Sequence, residues 1–130
     1  MPSSVENMPN RATNRLRPCG PLVVALAYDG LCTFEFGIAY EVFGLPRPEM
    51  GPGWYRFTVC GVEPGPYQAA GGFRIAVDRG LNVLRRADLV IVPGWRGVDT
   101  PVPEPLLRAL RRAYARGARL MSLCSGIGQV

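Results

Sequence analysis

The chain has 130 residues, enough for one domain at most. Its 48% hydrophobic content excludes a disordered chain, and no apolar run approaches the roughly 20 residues that span a membrane. All fifteen basic residues are arginine and ten residues are acidic, a formal charge of +5, but the arginines are dispersed and not interleaved with aromatics, which favours a solvated basic surface over a nucleic-acid platform.

Residues 1–20 are polar, with Arg11, Arg15 and Arg17 and no apolar segment before a small-residue cleavage site. They read as a disordered tail rather than a secretory signal, which leaves 21–130 as the domain. Residues 22–28 form a continuous apolar run, the pattern of a central parallel strand covered on both faces. Asp29-Gly30 breaks it, and Thr33 is placed to cap a helix over 34–45 that Pro46 stops. Phe34, Ile38 and Val42 share one stripe of that helix. Glu35 lies beside Ala39, Val42 and Phe43, an unusual place for an acid because those neighbours are expected to face the sheet.

After a loop rich in proline and glycine, residues 54–60 alternate and carry β-formers, so they predict a second strand. Segments around Gln68-Ala69 and 73–77, separated by Gly71-Gly72, predict a small hairpin, and 81–86 a short helix. Residues 87–92 form a further buried strand that ends at Pro93-Gly94-Trp95. A helix over 104–116 follows, with Leu106, Leu110, Ala113 and Tyr114 as its apolar face, Arg108, Arg111, Arg112 and Arg116 as its wet face, and Gly117 as a left-handed cap. The stretch 119–130 reads as a buried strand running into a tight turn with Cys124 at the corner. The order of elements is that of an α/β protein with a mostly parallel sheet.

In open sheets of this kind ligands gather beyond the carboxyl ends of the strands. Three loops lie there: one carries Glu35, one Gly94 and one Cys124. A thiol on such a corner is activated as the thiolate by a following helix N-terminus, whereas a carboxylate beside it helps only as a protonated donor or a proton shuttle. The amides of Ser125 and of Gly94 or Trp95 are the candidate oxyanion donors. Cys60 is expected in the core, Cys32 near the pocket and Cys19 in the tail. With no histidine and no Cys-x-x-Cys spacing, neither a Cys-His pair nor a metal site is expected, and no disulfide framework is apparent, which suits a reducing compartment.

The run Val24 to Gly37, then Glu41-Val42-Phe43, then Val92-Pro93-Gly94-Trp95, then Leu123-Cys124-Ser125-Gly126, resembles the ThiJ/PfpI superfamily of the class I glutamine amidotransferase-like fold. Within it the sequence is most similar to the N-terminal domain of FtrA-like regulators of the AraC family. The resemblance runs from about Pro21 to Gly126 and implies a flavodoxin-like sandwich. It makes Cys124 the cysteine of a nucleophile elbow, Glu35 the acid that approaches it, and Gly94 and Ser125 the oxyanion-loop positions. Trp95 stands where the family pattern has a second glycine and is expected to crowd the pocket.

The function this implies is that of an N-terminal sensor or regulatory domain of an AraC-type transcriptional regulator, in the cytoplasm. Its partners would be a small-molecule ligand, DNA through a C-terminal module not found in this sequence, and a second copy of the chain, with no cofactor and no membrane. The alternative is a cysteine hydrolase of protease, deglycase or amidase type that uses Cys124. The domain is expected to be incomplete at its C-terminus, with the last strand left bare and the thiol without its activating helix.

Overall fold

Leu22–Ala27 (β1) is aliphatic throughout, and every one of its six residues is buried. Alternate side chains leave opposite faces of a strand, so Leu22, Val24 and Leu26 enter one core while Val23 and Ala25 enter another. The structure, a computed structural model, describes residues 20–96 and 99–123. The elements that follow β1 are a helix at Thr33–Ala39 (α1), a strand at Arg56–Gly61 (β2), a hairpin of Tyr67–Gln68 (β3) and Arg74–Ile75 (β4), a 3-10 helix at Leu81–Arg86, a strand at Leu89–Pro93 (β5), a helix at Glu104–Ala115 (α2) and a strand at Arg119–Leu123 (β6). The main sheet has the order β2-β1-β5-β6 and every pairing in it is parallel. This is the α/β, flavodoxin-like arrangement, with the strand order reversing between β1 and β5.

α1 covers one face of the sheet through Ala39 and Phe36, joined by Phe43 and Phe57. The hairpin, the 3-10 helix and α2 cover the other through Tyr67, Leu84 and Leu106. At the amino ends of the strands Asp88 joins three of them. Its carboxylate accepts the Leu22 amide at 2.8 Å, its own amide donates to the Leu22 carbonyl at 2.8 Å, and its carbonyl accepts from Arg119 at 3.0 Å. Gly20, assigned from sequence to the tail, is buried, and its carbonyl accepts a hydrogen bond from Arg56 Nε at 3.0 Å.

Four sequence expectations need correction. Cys32, not Thr33, is the N-cap of α1, and no side chain caps that end. The helix does not run unbroken to 45; it ends at Ala39 and passes into a wider π-type turn over Tyr40–Gly44. Within α1 the i, i+4 pair Glu35 and Ala39 faces inward and leaves Phe34 72% exposed, and in the π-type turn beyond it Val42 is 46% exposed. On α2, Leu106 and Ala113 are buried, but Tyr114 lies one position further round and is exposed. Finally, β6 is not buried. It is the outer strand of the sheet, and Leu120 and Met121 remain exposed among the described residues.

The end of α2 follows the glycine-cap pattern. Gly117 takes φ +109°, its amide donates to Tyr114 and the Ala118 amide donates to Ala113, so two terminal carbonyls are satisfied before the chain enters β6. Among the described residues no helix is long and apolar enough to cross a membrane.

Asp88→Ala should cost about 1–2 kcal/mol, because the buried Leu22 amide loses its acceptor; Asp88→Asn, which keeps an oxygen there, should cost less, and urea unfolding checks both. Cys60 is fully buried, and burial raises its thiol from 9.0 to about 12. The unfolded thiol ionises near its ordinary value while the folded one does not. Its contribution to stability is therefore complete below about 9 and is lost as pH rises toward about 12. Across that window the stability of Cys60→Ser should fall less steeply than that of the parent chain.

Candidate functional site

The carboxyl ends of β1 and β5 meet at the point where the strand order reverses, the place where open α/β sheets bind ligands. Tyr28 extends β1 by one residue and is completely buried. Its hydroxyl donates to the Pro93 carbonyl at the end of β5, at 2.5 Å. The phenol is held well above its ordinary pKa, first by burial and then by the neighbouring Cys32 side chain. At neutral pH it is therefore a fixed donor that ties two strand ends together.

The loop after β1 is held from outside by the hairpin. The amides of Gly30 and Leu31 donate to the Gln68 carbonyl, the Gln68 amide donates to the Asp29 carboxylate at 2.8 Å, and the Ala70 amide donates to Leu31. This fixes where α1 starts, and so fixes Cys32 and Glu35. Glu35 is 3% exposed, and its Oε2 has no hydrogen-bond partner among the described residues. A buried carboxyl oxygen left unpaired is costly to a fold.

Gly94 turns the chain away from β5 with φ +69°. A side chain here would meet Cys32: an added Cβ would lie 2.8 Å from its Sγ and 3.2 Å from its Cβ. The Gly94 amide donates to the Leu123 carbonyl at 2.7 Å and also approaches Val92 O at 3.1 Å. It is therefore engaged within the fold.

Trp95 packs at this end of the sheet. Its ring lies 4.9 Å from that of Tyr28, and its indole N–H donates to the Thr100 carbonyl at 3.0 Å. The Arg96 guanidinium lies 4.8 Å from the Trp95 ring and 5.6 Å from the Tyr28 ring, and it bonds the Glu63 carboxylate at 2.6 Å. Cation and rings attract through the ring quadrupoles, and the half-buried ion pair orients the cation. The result is a Tyr28–Trp95–Arg96 stack latched to Glu63 from the loop after β2.

The structure thus brings Glu35, Gly94 and Trp95 to the carboxyl edge of the sheet, with Cys32 packed beside them. Cys124 and Ser125 lie outside the described residues; β6 leads up to Cys124 with Leu123 paired to Pro93. Tyr28, Arg96 and Glu63 were not expected. The available signal was a tyrosine closing an otherwise aliphatic run, while nothing local marks Glu63 or Arg96. Among the described residues no three Cys, Asp or Glu side chains lie close enough to hold a metal ion.

Gly94→Ala should destabilise by about 2–4 kcal/mol through the left-handed backbone and the clash with Cys32. In a Cys32→Ala background about 1–2 kcal/mol of this should return and the backbone part should persist, as a double-mutant cycle in urea would show.

No protein-family model and no curated protein matches the chain. Solved structures do. A DJ-1 superfamily protein from Agrobacterium tumefaciens superposes with a TM-score of 0.60 at 13% identity, over 78% of this chain and 52% of that one. DJ-1beta from Drosophila melanogaster gives 0.60 at 21% identity, over 81% and 55%. An AraC family transcriptional regulator from Pseudomonas putida gives 0.59 at 22% identity, over 78% and 63%. The chain spans between about half and two thirds of these neighbours. Its parallel α/β sheet shares the fold of these neighbours, one of which is a DJ-1 superfamily protein.

Proposed function

We propose that the chain is the N-terminal sensor or regulatory domain of an AraC-type transcriptional regulator, one that answers to a small-molecule ligand and reaches DNA through a separate C-terminal module. The observation that carries this is the latched stack at the switch point. Trp95 fills the space over Tyr28, Arg96 and Glu63 hold it there, and the Gly94 amide is engaged by Leu123. An acyl-transfer site needs free donors aimed at a developing oxyanion and room for the reacting group. A sensor needs an element that a ligand can displace, and an indole held by ring contacts, one hydrogen bond and a neighbouring cation is such an element. The shared fold with the Pseudomonas putida regulator supports the same assignment.

A second reading, a cysteine hydrolase using Cys124, is favoured by one observation, the buried Glu35 whose Oε2 has no partner among the described residues. One experiment separates the two. The chain has two tryptophans, so Trp54→Phe leaves Trp95 as the sole indole reporter. A screen of small metabolites should yield a compound that changes Trp95 emission and raises the melting temperature, while glyoxal and peptide substrates are not turned over. Turnover that vanishes in Cys124→Ser would establish the hydrolase instead.

A further inference from the structure

Far from the carboxyl edge, the 3-10 helix and α2 diverge and leave an open trough of about 430 Å3. Its floor is apolar, made by Leu84, Ala109 and Ala113. Its walls are cationic: Arg85 stands on the 3-10 helix, and Arg108, Arg112 and Arg116 follow one another at helical spacing along α2. Arg116 fixes one end of the trough, because its Nη2 donates to the carbonyls of Leu84 at 2.9 Å and Ala87 at 3.0 Å. Arg108 has a loose, exposed contact with Glu104 at 3.8 Å. Among the described residues Arg85, Arg112 and Arg116 have no carboxylate partner. Three uncompensated guanidinium groups thus border an apolar floor.

We infer that this trough is a docking site for an acidic amphipathic peptide segment of a partner protein, one that presents a leucine-sized side chain between carboxylates. The apolar atom fills the floor and the carboxylates meet the arginine walls, whose planar forks suit bidentate pairing. A nucleic-acid backbone would bring phosphates to the walls but no aliphatic side chain to the floor. A second copy of a chain carrying +5 would set like charges against these walls. The inference rests on the trough alone and stands whether or not the switch point senses a ligand.

The test uses fluorescence anisotropy with a labelled peptide that carries a leucine stripe flanked by glutamates. Binding should saturate and weaken with salt, and Arg85→Glu and Arg112→Glu should each raise Kd roughly fivefold or more. Arg111→Glu changes the net charge equally on the same helix, outside the trough, and should leave Kd nearly unchanged. Asn82 is exposed at the rim, so Asn82→Trp should obstruct the floor and weaken binding without altering charge. Circular dichroism confirms that each variant is folded. The inference is overturned if Arg111→Glu weakens binding as much as Arg112→Glu. It fails equally if a peptide with serines in place of the leucines, or a DNA duplex, binds as well as the probe, if the arginine variants change self-association rather than peptide binding, or if nothing binds.

Discussion

The molecule depends on the complete burial of β1. A strand with no exposed residue cannot leave backbone groups to water, so both of its edges must be paired, and β2 and β5 do this in parallel. Each of its large aliphatic side chains contributes about 1.5–3 kcal/mol when removed from water, and they alternate between two cores. Helical layers are consequently required on both faces. The chain leaves β1 toward β2 on one side and reaches β5 on the other, so a crevice opens where the order reverses. The site lies there because of how β1 is buried.

Among the described residues, what stands in that crevice is a polar latch. The Tyr28 hydroxyl spans from β1 to β5, and Gly94 packs so closely on Cys32 that no side chain fits between them. The positive φ of Gly94 is what lets the chain turn and present Trp95 back over Tyr28. A glycine at 95 would leave the Tyr28 ring and the Arg96 side chain without the surface on which they stack. The tryptophan therefore changes the character of the site. It sets there a side chain held by the Tyr28 ring and by a hydrogen bond to the Thr100 carbonyl.

Much of this was legible in the sequence. The aliphatic run, the glycine after α2 and the alternation in β2 each reflect a local requirement that one residue type satisfies, so the order of elements along the chain and the parallel sheet followed from them. Glu35 was recognisable as an acid among inward-facing neighbours and is buried. The apolar stripe of α1 was misjudged because the i, i+4 pair that faces inward is Glu35 and Ala39, one position on from Phe34 and Ile38, and the π-type turn at Tyr40–Gly44 interrupts the regular pitch before Val42. Tyr114 misled for a related reason: a residue one step past the buried stripe can be large and apolar and still face water. The Arg96–Glu63 latch was invisible because its partners are 33 residues apart and meet only once β2 and β5 have taken their places beside β1.

The arginine composition also acquires a physical meaning. A chain without lysine invites explanation by coding bias, but at one place the structure uses what a guanidinium has and an ammonium lacks. Arg96 lies over two aromatic rings while holding a carboxylate, which takes a planar cation with donors along its edge. Arg116, just beyond α2, reaches across to bond two carbonyls near the end of the 3-10 helix, and its charge also complements the negative end of the α2 dipole. It thereby holds the 3-10 helix and α2 together at one end of the trough between them. The basic surface is therefore not uniform solvated charge. One arginine is part of the switch-point latch, another fixes the trough, and those along the trough walls are arranged by the same helix whose buried stripe closes the core.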